Sequence, residues 1–170
     1  QFSLLIASLL SFSERLLALL YRDKTIVVNS SRTKSDLREI GFREEQMHVI
    51  HPGLPIWFFA GVNAKFTTRD PRVVCIAKAR RYKLIDYAIR AMKDVCEVMP
   101  KCEMIIAGKT SDVDKEYEEW LRCLVEELGL SRNVFFRKDI SESEKIELLR
   151  TSRALVLPSA IEGFGIVVIE

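Results

Sequence analysis

"RVVCIAKARRYKLIDYAIRAMKDVCEVMPKCEMIIAG" spans residues 72–108 and decides the fold. "RVVCIAK" (72–78) is a short apolar run rich in β-branched residues, which predicts a strand. "LIDYAIRAMKDVCEVM" (84–99) carries the period of an amphipathic helix, and "CEMIIAG" (102–108) returns to a strand. The rhythm continues downstream. "DVDKEYEEWLRCLVEELG" (112–129) predicts a helix closed by Gly129, and "NVFFR" (133–137) a strand. "SESEKIELLRTS" (141–152) predicts a helix opened by a capping box of Ser141 and Glu144, and "ALVLPS" (154–159) a further strand. Strands that are short and apolar throughout belong to a parallel sheet covered on both faces. Four β-α units in order therefore predict an α/β fold, a Rossmann-like doubly wound parallel sheet. Ligands of such sheets bind beyond the carboxyl ends of the strands. That rule selects the loops 78–83, 108–112 and 158–165.

Upstream, "TIVVNSS" (25–31) predicts a buried strand. "SRTKSDLREIGF" predicts a short helix, capped by Ser31 or Thr33 and ended by a left-handed Gly41. "MHVIHPGL" predicts another strand, stopped at Pro52-Gly53. Residues 53–71 have neither period and carry Pro, Gly and Asn, which predicts a linker between 1–52 and 72–170. The opening "QFSLLIASLLSFSERLLALLYRDK" is uncharged only from Gln1 to Ser13, too short to cross a bilayer. A buried helix is the expectation, with a helix lying on a membrane surface as the second reading. No basic stretch precedes it, which argues against a signal peptide. The first residue is Gln1 and the last segment has no cap, so the sequence is expected to be an internal piece of a longer protein.

The composition, 48% hydrophobic and 29% charged, excludes a disordered chain, and a net charge of +2 gives no global reason to expect nucleic acid. Cys75, Cys96, Cys102 and Cys123 form no C-x-x-C pair and are expected to be small buried hydrophobes in a reducing compartment. His48 and His51 lack clustered carboxylates or thiols, so no metal site is expected.

Three loops carry chemistry. "AKARRYK" (77–83) sets Lys78, Arg80, Arg81 and Lys83 where a strand ends and a helix begins. Their charges add to the positive end of the helix dipole, where a diphosphate would be held; a solvated basic surface is the alternative. In "AGKTSD", Gly108 follows a strand and permits close approach of a ligand, or simply makes the turn. "PSAIEGFGIVVIE" (158–170) sets Glu162 and Glu170 eight positions apart, with Gly163 and Gly165 bracketing Phe164. If a helix starts there, its free N–H groups suit anionic or hydroxyl oxygens. Eight residues of helix rise about 12 Å, too far for two carboxylates flanking one bond. That separation suits two hydrogen-bonding tasks along an extended ligand such as a nucleotide sugar. Locally, Glu162 could equally be a cap, Glu170 a surface residue and "IVVI" a strand.

Together these stretches resemble glycosyltransferase family 4, retaining enzymes of GT-B fold. "EGFGIVVIE" is similar to that family's E-x7-E signature, and "LVLPSAIEGFG" to its lead-in. "MIIAGKT" and "NVFFRKDISESEKIELL" resemble two further blocks, and "AKARRYKLIDYAIRAM" the Gly-Arg-Leu…Lys block that binds the donor diphosphate. "VVNSSRTKSDL" and "VIHPGL" resemble the end of the first domain. The resemblance runs from about residue 25 to the end. Two departures stand out: the family's Gly-Arg is Ala77-Lys78 here, and Leu84 occupies a place that is often Gly. A lysine keeps the charge but not the planar bidentate contact.

The resemblance implies a remnant of an acceptor-binding domain at 1–52 and a nucleotide-sugar-binding domain at 72–170, cut short at Glu170. It implies a retaining transfer from a nucleotide-diphosphate sugar to a glycan, lipid-linked or small-molecule hydroxyl. Glu162 would act on the sugar with the backbone of Gly163, Phe164 and Gly165. Lys78 and Lys83 would offset the diphosphate charge, without metal or cofactor, and Glu170 would hold the ribose. A cytoplasmic location follows, with the membrane surface as its other form. The 170-residue piece alone is expected not to turn over. A non-catalytic nucleotide-sugar-binding or scaffolding module, and a phosphorylase or sugar-phosphate synthase on the same fold, are the alternatives.

Overall fold

The computed structural model describes residues 2–54, 70–109 and 114–170, which form two compact units. Most of the expected linker, 55–69, and positions 110–113, which include the end of the second loop, lie outside the described residues.

The larger unit comprises residues 55–162 and 167–170. Its strands are β3 (Asp70–Ile76), β4 (Glu103–Gly108), β5 (Val134–Lys138) and β6 (Ser152–Leu155), all parallel, in the order β5-β4-β3-β6. Three helices intervene: α3 (Ile85–Val98), α4 (Lys115–Glu127) and α5 (Glu142–Thr151). Side chains alternate across the sheet, as the strand period of two requires. Cys75, Met104 and Ile106 face Ile85, Ile89 and Met92 of α3 and Leu121, Leu124 and Val125 of α4. Val74, Ile105 and Ala107 face the other way, with Leu148 of α5. Burial on both sides explains why these strands read as continuous apolar runs.

The strand order selects a candidate site. The chain runs outward from β3 through β4 to β5, then returns to add β6 on the far side of β3. Right-handed crossovers place helices on opposite faces when the direction reverses. The α3 and α4 helices indeed share one face and α5 takes the other. The reversal leaves a crevice at the carboxyl ends of β3 and β6, where ligands of open α/β sheets bind.

The smaller unit comprises residues 1–54 with Gly163–Ile166. It holds α1 (Phe2–Leu20), β1 (Ile26–Val28), α2 (Ser31–Glu39) and β2 (Met47–Val49), with β1 and β2 paired in parallel, Val27 opposite His48. The N-cap of α2 is Ser30 rather than the expected Ser31 or Thr33, and its hydroxyl accepts from the Thr33 N–H at 3.1 Å. Gly41 adopts φ 109°, as expected of a residue ending that segment.

The expectation of a buried first helix is not met. Ala18 is buried, and a Cβ added at Gly41 would contact it at 3.6 Å, but Leu9, Phe12, Leu19 and Leu20 are exposed. Two three-residue strands and the polar α2, which contributes no buried residue, offer too little apolar surface to cover it. Among the described residues no helix is long and apolar enough to cross a membrane.

Candidate nucleotide-sugar site

In the crevice between β3 and β6, the loop after each strand contributes one charge. After β3 the chain makes a single 3-10 turn, Arg81–Lys83, and enters α3 through Leu84 at φ 48° and ψ 38°. This left-handed backbone explains why glycine suits the position: a leucine there costs about 1–2 kcal/mol in backbone strain. The turn swings Lys83 toward the loop after β6. Its ammonium donates to Glu162 Oε1 at 2.5 Å, and the Ser159 hydroxyl donates to the same oxygen at 2.7 Å. The Ala160 N–H donates to the Tyr82 carbonyl at 2.9 Å and ties the two loops together.

The Lys83 side chain is 16% exposed and that of Glu162 28%, so the pair is sheltered yet open to a ligand. Burial pushes the Glu162 carboxyl up, but hydrogen bonds from Lys83 and Ser159 outweigh it and hold the group below its usual range. An ionised carboxylate and an ammonium thus face each other at the topological switch point.

Glu170 meets a different partner. Lys145, on α5, donates to Glu170 Oε1 at 2.7 Å, with side-chain exposures of 13% and 11%. The same ammonium lies 2.8 Å from Glu142 Oε2. After Gly165, where the sequence leaves helix and strand open, Ile166–Val168 form one 3-10 turn.

The other cations of the first loop diverge. Lys78 is exposed. Arg80 Nε lies 3.3 Å from Asp114 Oδ1, and the Arg81 guanidinium sits 5.4 Å from the centroid of Tyr117. These two arginines line an open pocket of about 340 Å³ with Tyr82, Glu116 and Tyr117. Of the four basic residues in the loop, Lys83 is the one paired with Glu162. Gly108 has a structural reason: a Cβ there would lie 2.2 Å from the Ala77 carbonyl oxygen, so the close approach it permits is between β3 and β4.

Gly163, Phe164 and Gly165 belong to the smaller unit. A Cβ on Gly163 would lie 3.1 Å from Asn29 Nδ2, and Gly165 holds φ 73°. The Phe164 ring lies 5.5 Å from that of His51, whose Nδ1 is 3.0 Å from the Asn29 carbonyl oxygen.

The cysteines are free. Burial pushes the Cys75 thiol up to about 12, against the opposing pull of Lys83, so it is an inert core residue. Cys102 is buried as expected; Cys123 is exposed on α4, contrary to expectation, because the helix turns it away from the sheet. Among the described residues no three His, Cys, Asp or Glu side chains cluster as a metal site would.

The structure brings Lys83 and Glu162 together and sets Glu170 against Lys145; the sequence did not single out Ser159 or Lys145. Ser159 was visible as the polar residue three places before Glu162. Lys145 left no signal beyond an ordinary helical spacing from Glu142.

Residues 62–170 match the family described as "Glycosyl transferases group 1", and the chain belongs to that family. The D-inositol 3-phosphate glycosyltransferase of Mycobacterium tuberculosis is 27% identical over 155 residues, covering 87% of this chain and 32% of that protein. The chain thus spans about a third of the length of the curated relatives it matches. Among solved structures, Anabaena Alr3699/HepE in complex with UDP and glucose superposes with a TM-score of 0.78 at 20% identity, over 94% of this chain and 45% of that one. The sucrose-phosphate synthase of Thermosynechococcus elongatus superposes with a TM-score of 0.69 at 23% identity, over 84% of this chain and 37% of that one. These likenesses establish the GT-B fold.

Proposed function

We propose that the chain carries the donor site of a retaining, nucleotide-sugar-dependent glycosyltransferase of family 4, with residues 72–170 as its donor domain and 1–52 from its acceptor-binding domain. The Lys83–Glu162 pair at the strand-order reversal carries this reading. UDP in the Anabaena structure supports a nucleoside diphosphate as the common ligand.

On this reading the pair is a charge relay set for exchange. The donor diphosphate brings oxygens that compete with Glu162 for the Lys83 ammonium. As Lys83 turns to the phosphate, the Glu162 carboxylate is released toward the sugar hydroxyls, still held by Ser159. The anomeric carbon trades its bond to the diphosphate oxygen for one to the acceptor oxygen on the same face, and the acceptor's proton leaves with the diphosphate. Charge building on the leaving group meets Lys83, with Lys78 adding from the loop rim, so the preorganised ammonium lowers the barrier without a metal ion. The N–H groups of Gly163, Phe164 and Gly165 serve the donor's oxygens, and Glu170 accepts from the ribose.

The acceptor is a glycan, lipid-linked or small-molecule hydroxyl, met in the cytoplasm or at its membrane surface. The test is product analysis with the full-length protein, a panel of UDP-, GDP- and ADP-sugars and chelator present. Transfer with the donor's anomeric configuration kept is the expected outcome. Inversion would overturn the retaining assignment, and donor binding without transfer would favour a non-catalytic binding module.

A further inference from the structure

Lys145 is an unusual lysine. Lysines are rarely buried unless paired, yet its side chain is 13% exposed. It projects from the first turns of α5, a helix fixed by the full capping box of Ser141 and Glu144 and packed against β3 and β6. Its ammonium holds two carboxylates: that of Glu142, 66% exposed, and that of Glu170, 11% exposed. Burial alone would pull the ammonium's pKa down, but hydrogen bonds to Glu142 and Glu170 raise it instead, so the charge persists.

A sheltered ion pair is a poor source of stability, because desolvation offsets most of the attraction. It does fix geometry. Glu170 follows the 3-10 turn Ile166–Val168. The contact on Oε1 anchors one carboxylate oxygen to a rigid helix from the opposite face of the sheet.

We infer that Lys145 is a positioning residue for donor recognition: it holds Glu170 in one rotamer, so that the carboxylate accepts from the ribose hydroxyls of the nucleotide. This rests on the proposed role of Glu170. Glu142 shares the ammonium but lies toward solvent and serves as an outer counter-charge.

The test is calorimetry on the full-length protein with UDP and GDP, each against its 2′,3′-dideoxy counterpart. The wild type should prefer the ribose form of the cognate diphosphate by about tenfold, the scale of one hydrogen bond to a charged group. Lys145→Met should reduce that preference to near unity while dideoxy binding stays within about twofold of wild type, a pattern that loss of fold would not give. Lys145→Arg should restore much of the preference, Glu142→Gln should keep it, and Lys145→Met with Glu170→Gln should equal Glu170→Gln alone. If wild type shows no ribose preference, the ribose role of Glu170 is wrong and this inference falls with it. If Glu170→Gln abolishes the preference and Lys145→Met keeps it, the ribose role stands and Lys145 is merely structural. Should Lys145→Met melt before it binds, Lys145→Gln and Lys145→Arg carry the same comparison: equal preferences in both would overturn the inference.

Discussion

Two lysine–glutamate pairs flank the sheet, and they are built on opposite principles. Lys83 meets Glu162 across two loops, on a turn that forces Leu84 to φ 48°, with 28% of the glutamate side chain exposed. Lys145 meets Glu170 from a helix with a complete capping box, with 11% of the glutamate exposed. The first pair is strained, reachable and placed where the strand order reverses. The second is relaxed and sheltered. On the proposed function, the strained and reachable pair is the one that exchanges partners, and the capped helix supplies the fixed reference point.

The largest effect should come from breaking the first pair. In the full-length protein, Lys83→Ala should weaken nucleoside diphosphate binding by about 2–5 kcal/mol, the range for truncating one partner of a buried charge pair. Unchanged affinity in calorimetry would leave Lys83 a structural partner of Glu162 and nothing more. Next is the strain itself. Leu84→Val should lower stability by about 2 kcal/mol, because a β-branched residue tolerates positive φ worst, whereas Leu84→Gly should be near neutral. Thermal melts that rank Gly below Val would contradict the left-handed turn.

On the other side, Ser141→Ala removes the cap of α5 and should cost about 1 kcal/mol by denaturant titration. An unchanged midpoint would mean that the second pair does not depend on its cap. The smallest effect is pH dependence. Glu162 is held below its ordinary value of 4.5, so its pairing contributes fully above that pH and is lost as pH falls through the lowered value. Melts of wild type and Glu162→Gln should therefore converge on acidification below 4.5. A gap that widens instead would contradict the ionised pair.

Much of the larger unit was legible because its central strands β3 and β4 send apolar side chains to both faces of the sheet and its helices bury one face. Val74 and Cys75 point to opposite cores, which is why "RVVCIAK" reads as one apolar run. Strand order was not legible: nothing in "ALVLPS" says that β6 joins β3 rather than β5. That placement alone brings Lys83 to Glu162, two residues 79 positions apart. The capping box of Ser141 and Glu144 was readable because it is local. Lys145 was not, because its meaning comes from Glu170, 25 positions away on the other side of β6. Past Gly165 the sequence leaves helix and strand open, because four consecutive β-branched residues carry neither period. The exposed leucines of α1 mark the opposite limit: an apolar pattern predicts a wish for burial, and the smaller unit supplies too little surface to meet it.

The division of labour between Glu162 and Glu170 is tested most directly by donor-saturation kinetics on full-length Glu162→Gln and Glu170→Gln, with melts as folding controls. If Glu162 acts on the sugar as charge develops, Glu162→Gln should lower kcat by about a hundredfold, the scale of one lost transition-state hydrogen bond. Glu170→Gln should raise the donor KM by about tenfold and leave kcat within a fewfold, since its contact to the ribose is remote from the breaking bond. Equal and small changes in both parameters for both variants would contradict the account and reduce the eight-residue spacing to coincidence.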